Sequence, residues 1–167
     1  MKHLRALLLP AVAIGLLVAV GTALAAAPKK PKTVPFKGSY SGTVTEKVDG
    51  QNVTALSTGT GVATAVGKGK LLGTVAANTA NPPCSPLSGT GTLTGPKGNL
   101  KVNLIPALAK GCAASEDDQT DITVSGQAKI IGGTLIFRKA KGTIHFSGPY
   151  DRKAGTFSVK FTGTLTY

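Results

Sequence analysis

Few residues of this chain have the types and spacing that catalysis requires. Apart from His3 near the N-terminus, His145 is the only histidine, and a general base needs an acid or a nucleophile beside it. His145 lies between Ile144 and Phe146 in an alternating segment, so we expect it on the polar face, opposite those two side chains. The sequence therefore identifies no catalytic residue.

The acidic residues are the next candidates, because four of the seven fall in one short stretch: Glu116, Asp117, Asp118 and Asp121. A calcium loop needs oxygen ligands at regular spacing and a turn glycine, and this EDDQTD segment has neither. The other carboxylates are isolated along the chain, so no pair for acid–base catalysis is visible; they are Glu46, Asp49 and Asp151. We expect no metal site and no cofactor.

Two glycine-rich runs invite comparison with phosphate-binding loops. GKGK at 67–70 and GPKG at 95–98 lack the strand-to-helix context and the Gly-Lys-Ser/Thr ending that such loops need. They are predicted to be hairpin turns instead, as are the segments at 49–50 and 153–155.

The first residues have the features of a secretory signal peptide. Lys2 and Arg5 precede an apolar run, and Ala23-Leu24-Ala25 matches the small-x-small cleavage rule. We predict a signal peptide at 1–26, a secreted, periplasmic or cell-envelope location, and no membrane span after cleavage. The alternative is an uncleaved anchor, because 6–27 has no charged residue and is long enough to cross a bilayer.

Export favours a disulfide between Cys84 and Cys112. Closing the loop between them would stabilise the fold by about 3 to 4 kcal/mol. The alternative leaves two reactive thiols in an oxidising compartment. No Cys-x-x-Cys spacing marks a redox pair, so the predicted disulfide is structural.

The remainder divides into a Pro/Lys-rich linker at 27–35 and a domain at 36–167. The linker is either a flexible spacer or a cationic arm. In the domain, apolar and polar residues alternate with a period of two, the pattern of half-buried antiparallel strands. Apart from one short turn at 134–139, no helix is expected. The predicted strands are 36–48, 52–62, 64–78, 87–95, 99–105, 120–130, 142–150 and 156–167.

These strands predict the fold class. Glycines recur on the alternating face, where they permit the strong coiling that a small barrel needs. About eight short strands at regular spacing favour closure over a sandwich. We predict an all-β chain folded as a single eight-stranded antiparallel up-and-down barrel.

Three segments carry a resemblance to a known group. GTGVATAVGKGKLLG at 59–73 resembles the G-x-G-x-A-T-H-L-G…G signature of small secreted bacterial β-barrel proteins; GGTLIFRKAKGTIHFSG at 132–148 and the closing GTFSVKFTGTLTY resemble their later elements. The resemblance implies a calycin- or allene oxide cyclase-like barrel, the class that includes dirigent proteins, whose bacterial members mostly have no assigned activity. Ala65 stands where the motif has His, so no role of that histidine carries over.

The charge balance bears on partners. With 19 Lys plus Arg against 7 Asp plus Glu, the formal net charge is +12, which attracts anionic partners such as an anionic polymer of the cell envelope or lipid headgroups. The alternative is a basic surface with no partner. Nucleic acid is not expected, because export separates the chain from it and aromatic residues make up only 5%.

The barrel interior bears on function, because a barrel of this size is either filled by side chains or holds one small ligand. The sequence favours a secreted, non-enzymatic protein that binds a small apolar ligand or associates with the anionic envelope. The alternatives are a cyclase- or dirigent-like isomerase that uses the lumen, and a structural, self-associating surface protein with a filled barrel. Ligand identity, lumen volume and oligomeric state stay open.

Overall fold

Segments in which apolar and polar residues alternate form β-strands throughout the part of the chain that the structure describes. The computed structural model describes residues 30–116 and 120–167, and those from Pro31 onward belong to one compact unit. Two 3₁₀ helices, Pro106–Leu108 and Leu135–Phe137, are the helical elements of the described residues. The strands described are β1 (Thr33–Asp49), β2 (Asn52–Ala63), β3 (Gly67–Asn78), β4 (Cys84–Gly95), β5 (Gly98–Leu104), β6 (Lys110–Ala113), β7 (Asp121–Gly133), β8 (Gly142–Asp151) and β9 (Thr156–Thr166).

The sheet closes on itself. Apart from β5 and β6, strands that follow each other in the chain pair antiparallel, and β1 pairs with β9 to complete the ring. The Lys32 amide donates to the Tyr167 carbonyl over 2.8 Å, and the Tyr167 amide donates to Lys32 over 2.9 Å, just beyond the end of that pairing. The predicted eight-stranded antiparallel up-and-down barrel is confirmed, with one strand more than predicted.

The extra strand arises because one strand of the wall is interrupted. β5 and β6 run in the same direction, and each pairs with both β4 and β7. Together they form one strand of the barrel, divided by the segment 105–109 with its 3₁₀ helix. β6 has only four residues, too few for the alternation to be recognised in the sequence.

The predicted disulfide between Cys84 and Cys112 is present. The two cysteines are directly opposite each other where β4 pairs with β6, with Cα atoms 4.0 Å apart. Their neighbours Ser85 and Gly111 line the barrel interior, so the disulfide lies on the outer face. It joins the short β6 covalently to the wall.

Several boundaries differ from the predicted ones. β1 begins at Thr33 rather than at residue 36, because the end of the expected linker pairs with the last residues of β9. β3 begins at Gly67, and the turn before it is 64–66 rather than 67–70. Ala65 and Val66 are buried in that turn. Because they are apolar, the turn was predicted as part of a strand. The predicted signal peptide at 1–26 lies outside the described residues.

Other local predictions are confirmed. Turns lie at 50–51, 96–97 and 152–155, and the short turn expected at 134–139 contains the second 3₁₀ helix. No helix of the described residues is long and apolar enough to cross a membrane.

The two ends of the barrel differ in their connections and in their interior. We call "packed end" the one formed by the turns β2–β3 and β4–β5, the connection β7–β8, the start of β1 and the end of β9. Its interior is filled with completely buried side chains, namely Phe36, Val66, Leu100, Ile130, Phe137 and Leu165. We call "cavity end" the opposite one, formed by the connections β1–β2, β3–β4, β6–β7 and β8–β9.

Candidate ligand-binding cavity

The cavity end encloses an apolar space of about 220 Å³. It reaches from the phenyl rings at mid-barrel, including that of Phe161, to Thr79 and Pro83 in the β3–β4 connection and Arg152 in the β8–β9 turn. Apolar cavities of about 150 Å³ stay dry and bind molecules the size of benzene. The space is therefore large enough for a small apolar compound.

The space exists because the inward-facing residues of three neighbouring strands are small. Every second residue of a strand faces the interior, and at this end those positions carry short side chains or none. The small lining residues are Ala55 and Ser57 of β2, Gly73, Val75 and Ala77 of β3, and Ser85 and Gly91 of β4. At the packed end these three strands also carry mainly small inward residues, but the space is filled by Val66 and Phe137 of the connections and by large side chains of the other strands.

Gly73 shows the available space most directly. It is buried and lines the cavity, and a Cβ built on it would come no closer than 3.6 Å to any neighbouring atom, the nearest being the Thr90 carbonyl oxygen. That distance is ordinary van der Waals contact. A side chain at this position would therefore extend into the cavity rather than collide with the wall.

An ion pair lies at the rim of the cavity. The Arg152 Nε donates to Glu46 Oε2 over 2.7 Å, and both side chains are mostly buried, 30% and 17% exposed respectively. Partial burial strengthens such a charge-assisted hydrogen bond relative to a fully exposed one. Nε is one of five N–H donors that a guanidinium carries, so Arg152 has donors beyond the one that holds Glu46.

Tyr150 completes this rim cluster. Burial raises the pKa of its phenol, and the Glu46 carboxylate raises it further by accepting its hydrogen bond and by its negative charge. The hydroxyl therefore stays protonated at neutral pH and acts as a donor. We use the name "rim cluster" for Glu46, Tyr150 and Arg152. It adds a charged, hydrogen-bonding group to an otherwise mainly apolar cavity.

A second tyrosine lies deeper, below the cavity. Tyr40 is 2% exposed, its ring meets that of Phe161 edge to face at 6.0 Å, and Phe161 lines the cavity. Its hydroxyl has no hydrogen-bond partner within the part of the chain that the structure describes. Burial raises the pKa of this phenol as well.

The residues singled out from the sequence do not meet at this cavity. His145 is exposed on the outer face while Ile144 and Phe146 are buried, as the alternation predicted. In the acidic stretch, Glu116 and Asp121 lie at the cavity end. Asp117 and Asp118 lie outside the described residues. No group of metal-ligating side chains is found among the residues described.

The rim cluster was missed by sequence reasoning, which treated Glu46 as an isolated carboxylate and did not single out Arg152. The two residues are 106 positions apart, so no local motif joins them. One signal was available: Glu46 shares the inward parity of Phe36, Tyr40 and Val44 in β1. A carboxylate on the apolar face of a strand needs a partner.

Comparison with protein-family models, with curated proteins and with solved structures gave no match.

Proposed function

We propose that this chain is an exported, non-enzymatic barrel that binds one small apolar ligand in its cavity end. The observation that carries the proposal is the apolar space of about 220 Å³ with the rim cluster at its edge. Burying apolar ligand surface there contributes about 25 cal/mol per Å². The Arg152 N–H groups that do not hold Glu46 would bind a hydrogen-bond acceptor at one end of the ligand, while the single O–H of Tyr150 is donated to Glu46. The unfilled space favours this function over that of a purely structural barrel.

Export is part of the proposal. A disulfide on the outer face persists where the surroundings are oxidising, which supports a secreted or envelope location. The signal peptide at 1–26 stays a prediction. The relationship to small secreted bacterial β-barrel proteins and to the allene oxide cyclase class stays a proposal too, carried by the three quoted segments.

The first experiment is native mass spectrometry of the protein purified from cells that export it. We expect a reproducible adduct of small-molecule mass, which denaturation releases and chemical analysis identifies. A bare mass in every preparation would count against a tightly held natural ligand, and binding would then be measured with an added probe.

The probe experiment uses a naphthol, which has an apolar ring system and one hydroxyl. We expect Gly73→Leu to weaken binding by more than about tenfold, because the new side chain occupies the cavity. Thr74→Leu is the matched control, since Thr74 is the exposed neighbour of Gly73 on the same strand. Equal binding by wild type and Gly73→Leu would show that the probe does not use the cavity, and the proposal would fail.

A cyclase- or dirigent-like isomerase is the second candidate, and the rim cluster is the observation that favours it. An enzyme of this kind needs polar groups that converge on the bound substrate, and Glu46, Tyr150 and Arg152 converge on this cavity. The test is to incubate the identified ligand with the protein and follow its isomers. Conversion that Glu46→Gln removes while binding is retained would establish the enzyme; an unchanged ligand would leave the binding function.

Association with an anionic polymer of the cell envelope stays a further prediction. It is favoured by the positive net charge and by the way charge is distributed along the barrel axis. All acidic residues that the structure describes lie toward the cavity end, namely Glu46, Asp49, Glu116, Asp121 and Asp151. Among the residues described, every charged side chain at the packed end is therefore cationic.

A further inference from the structure

We propose that the packed end docks on the surface of an anionic lipid bilayer, with Leu135 and Ile136 entering the headgroup region and the surrounding cations contacting lipid phosphates. The inference goes beyond ligand binding by the cavity, because it concerns the opposite end of the barrel. It replaces a general attraction to anionic material with one surface, one orientation and one partner.

The first observation is a group of exposed aliphatic side chains. Leu135 is 66% and Ile136 48% exposed in the 3₁₀ helix of the β7–β8 connection. Ile131, near the end of β7 and close to this connection in the chain, is 55% exposed; Val62 of β2, 53% exposed, lies at the same end but on the opposite side of the ring. Large aliphatic side chains held in water at the tip of a barrel are typical of a contact surface.

The second observation is that the structure holds Leu135 and Ile136 outward. The next residue, Phe137, is completely buried and packs edge to face on Tyr167, with ring centroids 5.4 Å apart. On the other side, the Thr134 hydroxyl accepts from the Asn99 amide over 2.9 Å, and the Thr134 amide donates to the Asn99 carbonyl. The connection is therefore fixed at both sides, and its two aliphatic side chains cannot fold back into the core.

The backbone of Leu135 gives a third observation. Its φ is 51°, and Leu135 is the one non-glycine residue with a positive φ among those described. Glycine or asparagine suits that conformation far better than leucine does. A leucine that is unfavourable for its backbone and two-thirds exposed to water contributes little to the folded monomer, and a role in contact with a partner accounts for its presence.

The fourth observation is the charge around these side chains. Exposed cations lie at the packed end on four separate elements, which are the start of β1 with the residue before it, β3, the β4–β5 turn and the β7–β8 connection. They are Lys32, Lys37, Lys68, Lys70, Lys97, Arg138, Lys139 and Lys141. No acidic residue lies among them in the described part of the chain. Each cation near an anionic membrane surface adds to the attraction.

The combination favours a bilayer over a polymer. A soluble polyanion would be bound by the cations alone and would leave the aliphatic side chains in water. Peripheral membrane binding combines two contributions, the burial of apolar area and the attraction of cations to anionic headgroups. The cavity end carries exposed aliphatic residues as well, Val48 and Leu56, but it also carries the acidic residues, so it provides a matched control on the same molecule.

The test measures co-sedimentation with vesicles of phosphatidylglycerol mixed with phosphatidylcholine, and with vesicles of phosphatidylcholine alone. The protein is used as its producing cells process it, and all variants share one N-terminus. We expect binding to the anionic vesicles, weakened by more than about tenfold in Leu135→Asn/Ile136→Ser and by about fivefold for each cation replaced in Arg138→Gln/Lys139→Gln. Val48→Ser/Leu56→Ser and Lys47→Gln/Lys153→Gln, at the cavity end, should bind as the wild type does.

Unfolding would not explain weaker binding by Leu135→Asn/Ile136→Ser, because asparagine tolerates the left-handed backbone at position 135. We expect Leu135→Asn to raise the midpoint temperature of thermal unfolding. A tryptophan at the tip gives a second readout, since the chain has none. Ile136→Trp emission should shift to shorter wavelength with anionic vesicles, and Leu56→Trp emission should not.

Three outcomes would overturn the proposal. Absence of binding to anionic vesicles, or equal loss in the variants of both ends, would show that the packed end does not dock on bilayers. Binding that needs the cations but is unchanged by Leu135→Asn/Ile136→Ser, with equal affinity for polyphosphate, would assign the surface to a soluble polyanion.

Discussion

The packed end and the cavity end are built from the same strands with the same alternation, yet one is solid and the other encloses a space. In β1, for example, the inward residue near the packed end is Phe36 and the one near the cavity end is Glu46. In β3 the inward residues are small at both ends, Gly67 and Gly69 as well as Gly73 and Ala77, and at the packed end Val66 and Phe137 of the connections fill the space beside them. The size of the inward side chains along the axis, rather than the strand pattern, decides which part of a small barrel is filled.

The largest expected contrast concerns glycines at the two ends. Gly142 has a φ of 152°, and a Cβ there would overlap the Thr164 carbonyl oxygen, so Gly142→Ala should cost about 4 kcal/mol or more. Gly73→Ala should change stability by less than about 0.5 kcal/mol, because its Cβ meets only ordinary contacts. Urea unfolding of both variants measures the difference, and equal costs would contradict the open space beside Gly73.

Phenylalanines provide the next comparison. Phe137 is completely buried, so Phe137→Ala should lower the unfolding free energy by about 3 to 5 kcal/mol. Phe157 is only partly buried and already borders the cavity, so Phe157→Ala should cost less than about 2 kcal/mol. Thermal and urea unfolding report both values. A larger cost for Phe157 would mean that the cavity end is as well packed as the other.

The disulfide should matter mainly at the cavity end. Replacing both cysteines by alanine should cost about 3 kcal/mol, and hydrogen exchange should rise in β6 while the 3₁₀ helix Leu135–Phe137 stays protected. Cys84 and Cys112 join β6 to β4, and β6 carries the cavity-lining residues Gly111 and Ala113. Uniform loss of protection would show instead that the barrel opens as one cooperative unit.

Alkaline pH should act through Tyr150. Its pKa in the folded protein lies above the ordinary 10.0, so the stability linked to its protonated form is complete below pH 10 and is lost as the pH rises further. Between pH 10 and the pKa in the folded protein, the free energy of unfolding falls by about 1.4 kcal/mol per pH unit. Tyr150→Phe should reduce this slope relative to the wild type. The same slope in both proteins would exclude a contribution from Tyr150.

The smallest expected effect is a gain in stability. Tyr40→Phe removes a buried hydroxyl that has no partner among the described residues, and should raise the unfolding free energy by about 1 kcal/mol. Tyr150→Phe, in which a bonded hydroxyl is lost, should lower it at neutral pH. A loss of stability in Tyr40→Phe would indicate that a bound water satisfies this hydroxyl.

Most of the fold follows from local sequence, because alternation and turn residues act within a few positions. The final strand and the turns at 50–51 and 96–97 are examples. β6 could not be predicted, since four residues give no period and its place depends on the interruption at 105–109. The 64–66 turn was misassigned because Ala65 and Val66 are buried at the end of the barrel and resemble strand residues.

The candidate site could not be predicted in the same way. The rim cluster depends on β1 and β8 reaching the same end of a closed ring, and its members are separated by about a hundred residues of chain. The cavity depends on the summed volumes of side chains from several strands. The disulfide was predictable because the predicted export signal and the presence of two cysteines suffice for it.

Because β1 pairs with β9, the closed barrel could in principle begin and end at another pair of neighbouring strands. Lys32 and Tyr167 are hydrogen-bonded neighbours, so a short linker could connect them while new ends are opened in the exposed turn at Gly50 and Gln51. A circular permutant of this kind would keep every strand pairing. It would convert the longest-range pairing, β1 with β9, into a local hairpin and place both new ends beside the cavity. The pairing of β1 with β2 would become the longest-range pairing instead, so comparing the folding rates of permutant and parent would measure whether the rate depends on which strand pair closes the ring.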